Sequence, residues 1–179
     1  MTDPPQVPGV RLLSLWVVEL AGGFSFDGVM MLTPTDYQTA AVRTMPAGLD
    51  DHGALSMLAL GVVGEWAEYE TEEDDDKAAI EAGDVLWYIA GICTVLNADL
   101  ADLPSYRVAP QWVTGALGDI CEPIKKHLYH GKELDKARVL GGCCRLYRGI
   151  ALRFSLPEIM AANIDKLRKR WPDGFGVGG

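Results

Sequence analysis

The chain has 179 residues, of which 49% are apolar, 23% charged and 8% aromatic, with four cysteines and a net charge of −9. This composition excludes a disordered or collagen-like chain, the length predicts one domain with one hydrophobic core, and the negative charge argues against non-specific binding of nucleic acid. Four cysteines at this length do not form a disulfide scaffold, so we expect reduced thiols in a cytoplasmic protein.

Acidic and basic residues are divided along the chain. Up to Glu122 there are 20 acidic and 4 basic residues, whereas from Pro123 onward there are 5 acidic and 12 basic residues. An acidic half joined to a basic half can hold a metal cation and a polyphosphate side by side. Alternatively, two oppositely charged faces help the halves to pack or dimerise, and charge alone favours this second interpretation.

Residues 1–32 form an N-terminal extension that the sequence pattern assigns to no regular structure. Its apolar stretch, Leu12 to Phe24, is interrupted by Glu19 and is followed by no small-residue cleavage site. We therefore expect neither a membrane-spanning helix nor a signal peptide, and no membrane partner.

Beyond residue 32 the apolar residues recur at helical spacing, and the alternation typical of strands is almost absent. Pro123 is expected to kink or interrupt the fourth helix, and Ser155 with Glu158 predicts a capping box at the start of the sixth. The spacing predicts an all-α helical bundle with helices at about residues 35–45, 52–71, 77–97, 111–129, 135–153 and 156–170.

Two segments are predicted to lie outside these helices. The run of five acidic residues from Glu72 to Asp76 has no apolar face, which predicts a solvated loop between the second and third helices. The tail, residues 176–179, is expected to be frayed.

Four carboxylates interrupt the apolar faces of the second and third helices: Glu65 and Glu68 in one, Glu81 and Asp84 in the other. Each pair has i, i+3 spacing, so both carboxylates point from one face of their helix. On helices this apolar we expect that face inside the bundle, where unpaired carboxylates need a cation. Four oxygen ligands with no basic neighbour in either segment predict a site for Mg²⁺, with Mn²⁺ as the alternative.

Two other metal sites fit the sequence less well, and one alternative needs no metal. No histidine has a glutamate three residues before it, which excludes the ferritin-like di-iron pattern. The spacing of Cys121, His127, His130 and Cys143 matches no zinc module, so we interpret them as core thiols and histidines near a helix end. Alternatively, the four carboxylates are ordinary charges on the protein surface.

The acidic segments resemble those of the MazG-type nucleoside triphosphate pyrophosphohydrolases, an all-α superfamily. That family's pattern is Glu-Glu-x-x-Glu followed by Glu-x-x-Asp; in this chain residues 64–68 are Gly-Glu-Trp-Ala-Glu, with Gly64 in place of the first Glu, and residues 81–84 are Glu-Ala-Gly-Asp. Residues 163–175 resemble the family's closing segment, Asn-x-x-Lys-Leu-x-x-Arg-aromatic-Pro-x-Gly-Phe. The resemblance covers residues 33–175 and implies a MazG-type helical bundle.

An internal repeat explains one departure from the family's order, in which a Lys-Lys and His-Gly segment lies between the two acidic motifs. In this chain that segment lies beyond the second motif, at residues 125–135. Residues 116–122 echo residues 62–68, and residues 142–147 echo residues 83–88.

We infer a tandem duplication that forms a pseudo-dimer within one chain, with copy one at about 33–103 and copy two at about 110–175. Leu140 and Cys143 stand in copy two where the acids of the second motif stand in copy one, so the metal site of copy two is lost. Alternatively, the chain is a single bundle with an extended C-terminal part and a chance similarity.

The resemblance implies hydrolysis of a (deoxy)nucleoside triphosphate to the monophosphate and pyrophosphate, a reaction of nucleotide metabolism. Glu65 and Glu68 would act both as magnesium ligands, together with Glu81 and Asp84, and as the candidates for the catalytic base. The residues expected to contact the substrate are Tyr88, Lys125, Lys126, Asn163, Lys166 and Arg170.

Two other classes of function stay open: a non-catalytic nucleotide-binding protein and a helical interaction module. A nucleoside triphosphate is the expected partner of the enzyme and also of a non-catalytic nucleotide-binding protein. The sequence leaves open whether the duplicated chain also forms a homodimer.

Overall fold

The computed structural model describes residues 32–105 and 113–172. The chain divides into two units, Met1–Met31 and Leu32–Gly179, and the helical bundle belongs to the second unit. The predictions for residues 1–31 and for the tail, residues 176–179, lie outside the described residues.

Six α-helices form the bundle, and no strand occurs in the two described ranges. Short 3₁₀ segments follow α1 at Val42–Thr44 and α3 at Leu100–Ser105. The prediction of an all-α bundle is confirmed, and each of the six predicted helices is present with its ends within a few residues of the predicted ones. The helices are α1 (Pro34–Ala41), α2 (Asp51–Thr71), α3 (Asp75–Val95), α4 (Val113–His130), α5 (Lys136–Arg153) and α6 (Leu156–Arg170).

Short polar side chains begin four of the helices. Thr33, Asp50 and Asp135 each accept a hydrogen bond from the backbone N–H three residues later, at 3.1, 2.8 and 3.0 Å. Asp74 accepts from the backbone N–H groups of the second and third residues of α3. These side chains satisfy N–H groups that the first turn of a helix leaves unpaired.

Two local predictions are wrong, and a third is wrong in part. Asp75 and Asp76 belong to the first turn of α3 instead of a loop, because negative charge is stabilised at a helix N-terminus. Ser155 precedes α6, but its side chain makes no capping hydrogen bond, since Pro157 removes one of the N–H groups within its reach. Pro123 lies inside α4 and does not interrupt it, so that part of the prediction is wrong.

The helices pack as two hairpins and two flanking helices. α2 pairs with α3 and α4 pairs with α5, and the hairpins meet where α2 contacts α4 and α3 contacts α5. α1 and α6 pack on α3 and on each other. The core therefore surrounds α3, whose ten buried residues are Ala78, Ala82, Gly83, Val85, Leu86, Ile89, Ala90, Gly91, Ile92 and Cys93.

α3 is also the one described helix that is long and apolar enough to cross a membrane by length and composition. In this fold, 56% of its apolar window is buried inside the protein. Packing against helices of the same chain therefore accounts for its apolar character, as it does for the central helix of a globular bundle.

Candidate functional site

Three of the four predicted carboxylates come together at the turn between α2 and α3. One oxygen each from Glu65, Glu68 and Glu81 lies within 4.8 Å of the other two. Glu65 and Glu68 belong to the last two turns of α2, and Glu81 belongs to the second turn of α3. The hairpin therefore places them side by side, as the i, i+3 spacing on each helix predicts.

This acidic triad (Glu65, Glu68 and Glu81) lies at the protein surface. Glu68 is exposed, and the other two members are half-buried. The expectation that this face lies inside the bundle is therefore wrong. The physical reason is the cost of desolvation: within the described residues no triad member forms an ion pair, so complete burial would leave three charges uncompensated.

Burial and neighbouring negative charges disfavour the ionisation of Glu65 and Glu81. The pKa of Glu65 rises from 4.5 to about 7, first because of burial and then because of the charges of Asp84, Glu68 and Glu81. The pKa of Glu81 is also raised, by burial and then by Asp84. Lys166 lowers both pKa values but does not cancel the increase, so the cluster has an excess of negative charge.

Asp84 stands apart from the triad because α6 provides partners for it. One of its oxygens, Oδ2, forms an ion pair with Lys166, and the other, Oδ1, accepts a hydrogen bond from Nδ2 of Asn163 at 3.0 Å. The sequence predicts no basic partner near the carboxylates, because these two residues lie about 80 positions further along the chain. Asp84 nevertheless acts on the triad through its charge.

A cleft of about 190 Å³ opens beside these acids, with an aromatic wall. The indole N–H of Trp87 is shared between the Ala41 carbonyl oxygen at 3.1 Å and the Thr44 hydroxyl at 2.8 Å, which fixes this ring. Tyr88 packs edge-on against Trp87, with ring centroids 4.8 Å apart. The lining residues are Thr44, Glu65, Asp84, Trp87, Tyr88, Lys166, Leu167, Arg170 and Trp171.

Of the six residues predicted to contact substrate, four lie at this cleft or next to it. Tyr88, Lys166 and Arg170 line the cleft, and the guanidinium of Arg170 lies 5.6 Å from the ring centre of Trp171. Asn163 is buried behind Asp84. On its other side α6 borders a wider, open groove of about 740 Å³ that Lys166, Arg170 and Lys169 share.

Lys125 and Lys126 lie elsewhere. Both pair with Glu122 on their own helix, Lys126 at 3.3 Å. Two contacts show that α4 runs antiparallel to α2. The thiol of Cys121 lies 3.7 Å from the Ala59 carbonyl oxygen, and further along α4 the ring of His127 lies 5.5 Å from that of His52, which is nearer the start of α2. In this register Lys125 lies roughly 20 Å along the α2 axis from Glu68, at 1.5 Å per residue. The structure does not bring these lysines to the carboxylates.

The positions that the predicted repeat aligns with the first acidic motif have basic partners. Asp119, equivalent to Glu65, accepts a hydrogen bond from Nε of Arg138 at 2.7 Å and pairs with Arg145. Glu122, equivalent to Glu68, pairs with the two lysines of α4.

The equivalents of the second acidic motif are apolar and buried. Leu140 and Cys143 lie in the core. Cys121, His127, His130 and Cys143, all described residues, do not come close enough together to share a metal ion, in agreement with the interpretation of the sequence. Among the residues that the structure describes, the acidic triad is the one group of three or more carboxylate, thiol or imidazole side chains close enough to share a metal ion.

Sequence reasoning missed Tyr37, which the structure connects to the site. Its hydroxyl donates a hydrogen bond to Oδ1 of Asn163 at 2.9 Å, and the residue is fully buried. The sequence signal is weak: α1 is short, and a tyrosine in it suits ordinary core packing.

Comparison of the chain with known protein families, curated proteins and solved structures finds no match.

Proposed function

We propose that this chain is a MazG-like, metal-dependent hydrolase that cleaves a (deoxy)nucleoside triphosphate to the monophosphate and pyrophosphate. The observation that carries the proposal is the acidic triad, whose three carboxylates meet at the surface without an ion pair to any described residue. Burial and the neighbouring charges raise the pKa of Glu65 and of Glu81, which costs stability when these side chains are ionised. A bound cation offsets that cost.

The chemistry of the triad fits a hard divalent cation. All three ligands are carboxylate oxygens, the donors that Mg²⁺ and Mn²⁺ prefer over nitrogen or sulfur. The site is also open to solvent on the side of Glu68, as a site shared with substrate phosphates and water requires. When bound, the ion would neutralise phosphate charge and lower the pKa of a bound water.

The chain's own residues have separable roles in this proposal. Glu65, Glu68 and Glu81 would hold the ion, with Asp84 as the fourth acid. A carboxylate oxygen of Glu65 or Glu68 that is not used in coordination would accept the proton of the attacking water. Lys166 and Arg170 bind the phosphates. Because Lys166 pairs with Asp84 in the absence of ligand, phosphate binding exchanges one anion for another at this ammonium group.

The aromatic wall of the cleft is the place for the nucleobase. Trp87 is held by two hydrogen bonds and presents a fixed surface, and Tyr88 and Trp171 flank it. A cleft of about 190 Å³ suits a single base ring system better than a whole nucleotide. Asn163 has its amide engaged by Tyr37 and Asp84, so we assign it no contact with the sugar.

We further propose that the two hairpins, α2–α3 and α4–α5, are the two copies of a duplicated MazG-type unit. Their pairing within each hairpin, and the contacts of α2 with α4 and of α3 with α5, suit a pseudo-dimer. In the second copy Asp119 and Glu122 are neutralised by basic side chains of the same hairpin. Basic partners at these positions remove the need for a metal ion.

The test is release of pyrophosphate from a panel of ribo- and deoxyribonucleoside triphosphates with Mg²⁺ or Mn²⁺. We expect turnover of at least one nucleotide, complete loss of it in Glu68→Gln, and near-normal turnover in Glu122→Gln, the matched control in the second hairpin. Absence of pyrophosphate with every nucleotide and both metals would refute the enzyme. Nucleotide binding without turnover would instead favour the non-catalytic nucleotide-binding protein.

A further inference from the structure

A chain of hydrogen bonds links the core of the bundle to Asp84. The hydroxyl of Tyr37 in α1 donates to Oδ1 of Asn163 in α6 at 2.9 Å, and Nδ2 of Asn163 donates to Oδ1 of Asp84 in α3 at 3.0 Å. Tyr37 is fully buried and Asn163 is 3% exposed. Bulk water therefore cannot replace either partner.

The chemistry of the carboxylate fixes the direction of this chain. An ionised carboxylate only accepts hydrogen bonds, so Asn163 turns its NH₂ group to Asp84 and its carbonyl oxygen to Tyr37. That oxygen needs a donor, which the Tyr37 hydroxyl supplies. The hydroxyl's second neighbour, the Gly83 carbonyl oxygen at 3.3 Å, is also an acceptor. With the amide reversed, two acceptors would face each other at Asp84.

The two oxygens of Asp84 consequently have different surroundings. Oδ1 is held by Asn163, on the buried side, and Oδ2 pairs with Lys166, which lines the cleft together with Glu65. Only Oδ2 has a partner, Lys166, that a ligand in the cleft can displace. The packing allows little adjustment, because a Cβ at Gly83 would lie 3.0 Å from Cβ and Nδ2 of Asn163.

We propose that Tyr37 is a positioning residue of the candidate site, which acts through Asn163 to orient Asp84 so that Oδ2 faces the cleft. This inference rests on the proposed function, in which Asp84 is one of the acids that hold the metal ion. Tyr37 itself touches neither substrate nor metal. Hydrogen bonds of this outer kind fix the orientation of metal ligands and are worth about 10- to 100-fold in metal affinity or activity.

The test compares the binding of Mn²⁺ to the full chain and to Tyr37→Phe, which removes the hydroxyl and keeps the ring. We expect the Kd for Mn²⁺, measured by electron paramagnetic resonance titration, to rise about tenfold. Pyrophosphate release should fall at low Mn²⁺ and return toward the wild-type rate at saturating Mn²⁺. Both measurements are made well below the Tm of metal-free Tyr37→Phe, because a metal that binds only the folded state would also rescue a partly unfolded variant.

Gln38→Ala is the matched control on the same helix. Gln38 accepts a hydrogen bond from the Leu100 N–H at 2.7 Å and donates one to the Ala98 carbonyl oxygen at 3.0 Å, so it ties α1 to the segment after α3, away from Asp84. We expect a lower Tm in this variant with an unchanged Kd for Mn²⁺. In a double-mutant cycle, Tyr37→Phe should add nothing to the effect of Asn163→Ala, because both act through one chain of hydrogen bonds.

The outcomes separate this inference from the proposed function. Wild-type protein that binds Mn²⁺ with the same Kd as Tyr37→Phe would overturn the positioning role and leave the proposed function intact. Wild-type protein that binds no Mn²⁺ would overturn the proposed function, and the positioning role with it. If Tyr37→Phe does not fold, Asn163→Ala in the same titration decides, and an unchanged Kd overturns the positioning role.

Discussion

Replacing Glu65 by glutamine should stabilise the metal-free protein at high pH and leave its stability unchanged at low pH. The pKa of Glu65 in the folded protein is about 7, above the ordinary value of 4.5. Between these values the folded protein binds more protons than the unfolded chain, so the free energy of unfolding falls as the pH rises. Below pH 4.5 the side chain is neutral in both states, and above pH 7 the loss is complete.

The magnitude follows from the same two pKa values. A rise from 4.5 to about 7 corresponds to about 3 kcal/mol of destabilisation of the ionised form. Because Glu65 is only partly buried, screening by water reduces this to about 1–2 kcal/mol. Glutamine has nearly the shape of the neutral, protonated acid and does not ionise. We therefore expect Glu65→Gln to raise the free energy of unfolding by about 1–2 kcal/mol at pH 8 and by almost nothing at pH 4.5.

Urea denaturation in EDTA at both pH values measures this difference, and Asp119→Asn is the matched control. Burial raises the pKa of Asp119, but hydrogen bonds and charges from Arg138 and Arg145 lower it more, so the net pKa lies below the ordinary value. The same chemical change at the position equivalent to Glu65 should therefore destabilise the protein at pH 8. A loss of stability in both variants, or a gain in Glu65→Gln that persists at pH 4.5, would refute the electrostatic reasoning.

Three further predictions concern the metal ion, the lysines and the packing of the cleft. Millimolar Mg²⁺ should raise the Tm of the wild-type protein, and the rise should be smaller in Glu68→Gln, because an ion that binds only the folded state stabilises it. Lys166→Met should raise the KM for the nucleotide about tenfold, whereas Lys126→Met should leave it unchanged in the same steady-state assay, since that lysine lies far from the acids. Gly61→Ala should lower the free energy of unfolding in urea by about 1–3 kcal/mol, because the new Cβ would lie 2.0 Å from a ring carbon of Tyr88; wild-type stability would contradict this.

Local sequence rules predicted the helices well, because each helix carries its own signals. α2 and α3 each extend over 21 residues, close to the predicted ranges, and α6 ends at Arg170 as predicted. The errors are also local. In the acidic run, a capping residue and the first turn of a helix have the same composition as a solvated loop, and only the N–H groups that Asp74 satisfies distinguish them.

The site could be predicted only as far as neighbouring segments determine it. The i, i+3 pairs on two consecutive helices predict that Glu65, Glu68 and Glu81 meet, since a hairpin brings the helices together. The pairing of Asp84 with Lys166 could not be predicted in this way, because it depends on where α6 packs. The same holds for the distance of Lys126 from the acids, which is set by the antiparallel register of α2 and α4.

The contrast between the two hairpins is the strongest physical reason to assign a ligand to the first. A folded bundle needs no group of unpaired acids, and the second hairpin shows two ways to avoid one: basic partners for Asp119 and Glu122, and apolar residues at Leu140 and Cys143. At Glu65, Glu68 and Glu81 the first hairpin does neither, and the pKa of Glu65 is raised. Local features that lower the stability of the fold, with no compensating contact nearby, are expected where a protein binds a ligand or catalyses a reaction. If that cost has another origin, Mg²⁺ will not remove the difference in stability between wild type and Glu65→Gln at pH 8.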